Sequence, residues 1–138
     1  MKIAGVSEIF ENAFGLWITA LFDGILVQNP TLMFDEHKEA FFELVERFLR
    51  DGRIKFCPPS DLWHEGYDIW DLEISMIVGY LRHHWPPSAK SKDDAALSDY
   101  FYAMPAILWI GNDGRCCINQ GRGEAVLTFT RNDMAVTL

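Results

Sequence analysis

The side chains of this chain that could do chemistry are three cysteines, four histidines and a periodic row of carboxylates. Cys57, Cys116 and Cys117 are odd in number and include an adjacent pair, which does not make a secreted disulfide framework. Neighbours on a strand point to opposite faces, so Cys116 and Cys117 are poorly placed to share a metal. No CxxC or HxxxH spacing occurs, and buried structural thiols are the favoured reading. His64-Glu65 lacks a second ligand at helical spacing. His83 and His84 close an apolar helical pattern, where a protonated imidazole suits the dipole. His37 completes the set. Gly121-Arg122-Gly123 precedes a strand pattern rather than a helix, so it is not a phosphate cradle. No metal, cofactor or catalytic residue is expected.

The carboxylates form a clearer pattern. Glu36, Glu39, Glu43 and Glu46 recur at 3, 4, 3 spacing, which places them on one face of a helix. Phe41, Leu44, Val45, Phe48 and Leu49 make its apolar face. Such an outer face is ordinarily just solvated, with acids early and Arg47 and Arg50 late to suit the dipole. It is also a face on which a basic partner could dock. Downstream, Asp61, Glu65 and Asp68 alternate with Trp63, Tyr67 and Trp70 in a loop. Large rings in a loop either plug one end of the core or anchor a partner. The candidate partner-binding residues are therefore Glu36, Glu39, Glu43, Asp61, Trp63, Glu65, Asp68 and Trp70. Glu46 is a weaker choice because Arg50, four residues on, offsets it.

The elements that must position these residues follow from periodicity and punctuation. After Ser7 as N-cap, Ile9, Ala13, Trp17, Leu21 and Phe10, Phe14, Ile18, Phe22 form two i,i+4 rows. They predict one long helix closed off by Gly24 and Asn29-Pro30. Its broad apolar face, with Trp17 and Phe22, belongs either to the core or to a dimer interface. Asp35 is the expected cap of a second helix running to Arg50 and stopped by Gly52. Residues 53–56 read as a short strand, broken by Cys57-Pro58-Pro59. Asp71 is the expected cap of a third helix, carrying Ile74, Ile77, Val78 and Leu81 and ending at Trp85-Pro86-Pro87. Residues 88–96 read as loop by composition, and 98–104 as one helical turn or a strand lead-in. Residues 107–110 and 115–118 flank an Asp113-Gly114 hairpin turn, and 125–130 form a further strand. The expected fold is a single α+β domain over 1–138, its N-terminal helices packed on one face of a small antiparallel sheet formed mainly by the C-terminal strands.

Twenty acidic residues against twelve basic ones give a net charge of −8, which disfavours nucleic acid and anionic membranes as partners. The excess is uneven. Residues 1–51 hold nine acids and four bases, 52–80 five and two, and 81–138 six of each. Such a field would steer a basic partner onto the second helix and the aromatic loop. A 49% hydrophobic, 14% aromatic chain of this length can bury a core without disulfides. Glu8 and Glu11 interrupt the region a signal peptide would need, and the longest apolar run, 13–22, is too short to span a bilayer. The expected location is the cytoplasm.

Two resemblances add to this reading. Residues 53–56 entering Cys57-Pro58-Pro59-Ser60, with Met104-Pro105 leading residues 106–110, resemble the reactive-cysteine turn and proline-led strand of thioredoxin-like proteins. That resemblance implies an oxidoreductase with Cys57 as nucleophile. Ser60 stands where a resolving cysteine would, the following residues read as loop, and two helices precede the first strand. The second resemblance covers just over half the chain. It rests on Phe41-Phe42-Glu43-Leu44 running into Gly52-Arg53-Ile54-Lys55-Phe56, on Tyr80-Leu81-Arg82 with Trp85-Pro86, and on Ala106-Ile107-Leu108-Trp109-Ile110-Gly111 leading into Asp113-Gly114. In these segments the chain resembles small bacterial proteins that include or adjoin the immunity proteins of contact-dependent growth inhibition. The resemblance implies a non-enzymatic antidote, monomer or weak dimer, that binds a basic toxin domain, often a nuclease, one to one. It carries over no catalytic motif and no binding site.

Overall fold

A computed structural model describes residues 2–59, 69–111, 116–119 and 124–126. In chain order the elements are α1 (Val6–Ala13), α2 (Thr19–Gln28), α3 (Phe34–Arg50), β1 (Ile54–Phe56), α4 (Ile74–His83), α5 (Ala95–Ala103), β2 (Ile107–Ile110), β3 (Cys116–Asn119) and β4 (Glu124–Val126). The strands form one antiparallel meander in the order β1-β2-β3-β4. This is the expected α+β arrangement. Ile54 pairs with Trp109 and Phe56 with Ile107. All four side chains are buried in the same cluster as the helix cores. Phe10 of α1 meets the Trp109 ring edge-on at 5.8 Å and the Phe48 ring of α3 at 5.3 Å. One sheet face is thus sealed by the helices, and burying this apolar surface is the main stabilising term.

The first helix departs from expectation. The predicted single helix is two, because Gly15 takes φ 81°, a left-handed conformation that glycine adopts without a Cβ penalty. Ser7 lies inside α1, whose N-cap is Gly5. The break leaves the Leu16 carbonyl outside any helix ladder, and the buried Trp109 indole donates to it at 2.7 Å. The break also lets Phe10 and Phe22 serve different parts of the core. Phe22 is 1% exposed and inside the protein, so the apolar face of this segment is core.

The second helix keeps its predicted end but not its predicted cap. Met33 is the N-cap, and the Glu36 carboxylate accepts its backbone N–H at 2.9 Å, while Asp35 lies in the first turn. At the other end Gly52 has φ 73°. Arg53 N–H reaches the Phe48 carbonyl at 2.8 Å and Gly52 N–H the Leu49 carbonyl at 3.2 Å. This is a Schellman closure, which turns the chain directly into β1. The N-cap of α4 is Glu73, not Asp71. The segment read as loop and single turn holds α5, capped by Asp94, whose carboxylate accepts the Ala96 N–H at 3.0 Å.

Candidate functional site

The acidic ridge of α3 is real as geometry, and each carboxylate on it has a distinct environment. Glu36 and Glu39 are exposed, and Glu43 and Glu46 are half-buried. They stand opposite Ala40, Phe41, Leu44, Val45 and Phe48, which are buried. Glu36 closes the N-terminus of the helix as described above. Glu46 pairs with Arg50 at 3.1 Å, as the i,i+4 spacing anticipated. Glu39 receives two bonds from the Arg82 guanidinium of α4, at 2.8 and 3.0 Å. The Arg82 head also lies over the Phe42 ring at 4.6 Å.

Hydrogen bonding from Arg82 holds the Glu39 carboxyl below the usual carboxylate range, and Glu39 in turn raises Arg82. Their side chains remain 47% and 42% exposed, so the pair adds little stability. Its effect is positional: a two-pronged bond fixes the carboxylate at the α3–α4 seam. Sequence reasoning missed Arg82 as a partner of this ridge, since 43 residues separate it from Glu39 and only packing brings the helices together.

Trp70 occupies a different place. Its backbone N–H donates to the Phe56 carbonyl at 2.7 Å, on the edge of β1. Its half-buried ring packs on the core and meets Tyr80 of α4 edge-on at 5.2 Å. Tyr80 and Arg82 leave α4 about 200° apart at ~100° per residue. Trp70 and Glu39 therefore sit on opposite flanks of α4, and the structure does not bring them together. Asp61, Trp63, Glu65 and Asp68 lie outside the described residues. Cys57 is half-buried at the end of β1, and its backbone N–H donates to the Ala106 carbonyl at 2.8 Å. Among the described residues no group of three or more His, Cys, Asp or Glu is arranged to hold a metal ion. Among them, too, no helix is long and apolar enough to cross a membrane.

His37 is the polar residue the sequence reading passed over. It is 1% exposed, stacked on Phe22 with ring centroids 3.6 Å apart. Its Nε2 lies 2.6 Å from the Phe22 carbonyl, which can only accept, so Nε2 carries the proton. Burial pushes its pKa down, against the opposing pull of that carbonyl and of Asp23. A signal was present: His37 stands four and eleven residues before Phe41 and Phe48, on the apolar stripe of α3.

No protein-family model, curated protein or solved structure matches this chain.

Proposed function

We propose that this protein is an immunity protein, which binds the basic toxin domain of a contact-dependent growth inhibition effector one to one and neutralises it. The observation that carries the reading is the carboxylate ridge of α3, standing in the half of the chain that holds the charge excess. Glu36, Glu39 and Glu43 lie along one helix, and the carboxylate lone pairs beyond those that Met33 N–H and Arg82 engage are the proposed acceptors for lysine and arginine. Carboxylates so arranged can occupy a groove meant for phosphates, and opposite charges raise the association rate. The resemblance in the α3–β1, α4 and β2 segments supports the same assignment. Trp63 and Trp70, with Asp61, Glu65 and Asp68, are the proposed second contact region. The protein acts by binding, in the cytoplasm, without a cofactor.

The oxidoreductase reading with Cys57 as nucleophile has less support. Among the described residues the elements between Cys57 and Pro105 are α4 and α5, and no strand pairs in parallel with β1, whereas a thioredoxin-like fold has a parallel strand between the cysteine and the proline. Rapid alkylation of Cys57 near neutral pH would favour that reading; a thiol protected until denaturation would sink it.

The test of the immunity reading is a charge reversal. The tagged wild-type chain and the Glu39→Lys/Glu43→Lys variant are used to capture partners from the source cells. Wild type is expected to retain a basic polypeptide at equal stoichiometry, and the variant to lose it while its thermal midpoint stays close to wild type. Equal retention by both would move the interface off α3.

A further inference from the structure

The Glu39–Arg82 pair and the Trp70–Tyr80 contact lie on opposite flanks of α4. At ~100° per residue, Gly79, His83 and Met76 leave the helix in that order between Arg82 and Tyr80. All three are exposed, while Ile77, Val78 and Leu81 on the reverse side are buried. A body that touches both flanks therefore has to cross the face made by Met76, Gly79 and His83.

That face has features the fold itself does not require. Gly79 stands in the middle of α4, yet a Cβ there would meet nothing within 4 Å, and its backbone is not left-handed. A glycine inside a helix costs stability relative to alanine, and neither close packing nor conformation within the described residues accounts for this one. Beside it Met76 is 57% exposed, and Leu72, next to the Glu73 N-cap, is 41% exposed. A missing side chain lets another chain approach closely, and interface centres favour methionine while charges stay at the rim. The rim here is acidic. Asp71 and Glu73 are exposed at the N-terminal end of α4, and among the described residues neither is in an ion pair. Glu39 borders the α3 flank. A second copy of this chain, at net charge −8, would set like charges face to face, so the charge favours a basic occupant. We infer that the outer face of α4, with Leu72, Met76 and Gly79, is the apolar centre of the surface that receives the toxin domain. The occupant is a segment with a large apolar side chain set among lysines or arginines. The apolar group packs over Gly79 against Met76, and the cations meet Asp71, Glu73 and the remaining lone pairs of Glu39. This inference rests on the toxin-binding reading and adds where its two contact regions join.

The test uses a stand-in for that segment, a synthetic amphipathic Leu–Lys peptide of about four helical turns, titrated into the isotope-labelled full-length protein. Saturable NMR amide shifts are expected at Met76, Gly79 and His83, with a dissociation constant of about 100 µM or tighter. The same peptide with serine in place of leucine keeps the charge and is expected to bind at least about fivefold more weakly. Gly79→Gln fills the face with a better helix former. Its thermal midpoint should equal or exceed that of wild type, while its affinity for the Leu–Lys peptide falls about fivefold or more. No saturable shift, shifts confined to residues 36–46 of α3, equal affinity for the two peptides, or wild-type affinity in Gly79→Gln would each overturn the inference. Concentration-dependent shifts at the same three amides without peptide would assign the face to a second copy and overturn it as well. The capture experiment with Glu39→Lys/Glu43→Lys decides the toxin-binding reading separately, whatever the peptide does.

Discussion

His37 shows how one residue couples the sequence to a measurable property of the whole fold. Its burial disfavours the imidazolium, so its pKa in the folded state lies below the ordinary imidazole value of 6.5. Between those two values the unfolded chain binds more protons than the folded one, and stability rises with pH there. The contribution is therefore complete above pH 6.5 and is lost as pH falls through the folded-state value. Urea midpoints measured at pH 7.5 and pH 5.5 should drop for wild type, and the drop should shrink in His37→Leu. An equal drop in both would place the acid sensitivity elsewhere. The Glu39–Arg82 pair is a contrasting case, with strong geometry in an exposed setting. A double-mutant cycle with Glu39→Ala and Arg82→Ala should return a coupling of no more than about 1 kcal/mol. The sequence carried the Glu39 position in the 3, 4, 3 spacing, but not its partner, because a contact between distant helices leaves no local periodicity to read.

At the scale of the element, termini were less legible than faces. The buried face of α3 was readable from the spacing of Phe41, Leu44, Val45, Phe48 and Leu49, all of which are buried. Its Gly52 stop was readable too, since a left-handed residue after a helix is most simply a glycine. Gly52→Ala should cost about 1 kcal/mol, because φ 73° is strained for any residue with a Cβ even though nothing lies within 4 Å of the added atom. A denaturation midpoint equal to wild type would show that the closure adapts. The caps were misplaced by two residues, because Asp35 and Asp71 have the side chains of a cap but Met33 and Glu73 take the extended conformation that a cap needs. The break between α1 and α2 was hidden for a physical reason. Ile9, Ala13 and Leu21 are all buried, so the i,i+4 row continues across Gly15 as though one helix carried it. α5 was hidden by composition, its first turn being small residues beside a polar stretch, although the Asp94 cap was there to be read.

For the whole molecule, a core of interlocking rings supports an uneven surface charge. Trp109 is fully buried and holds α1, β1 and the helix break together through its ring and its indole N–H. Trp109→Ala should cost about 3–5 kcal/mol, read from chemical denaturation. Because Phe22 and its neighbours on α2 lie inside, sedimentation at micromolar concentration should report a monomer. The small antiparallel sheet with helices on one face was legible, because the hairpin signal near Asp113-Gly114 and the helical spacings were both strong; the strand order, with β1 beside β2, was not, because two helices separate those strands in the chain. The binding role rests on the charge layout and on resemblance, so the decisive observation concerns charge. The most direct measurement is the affinity of the captured basic partner for the tagged protein as a function of salt. The account predicts an equimolar complex whose dissociation constant rises at least tenfold between about 50 and 300 mM salt, as screening weakens the contact between the α3 carboxylates and their basic counterparts. A complex indifferent to salt, or no basic polypeptide retained at low salt, would contradict it.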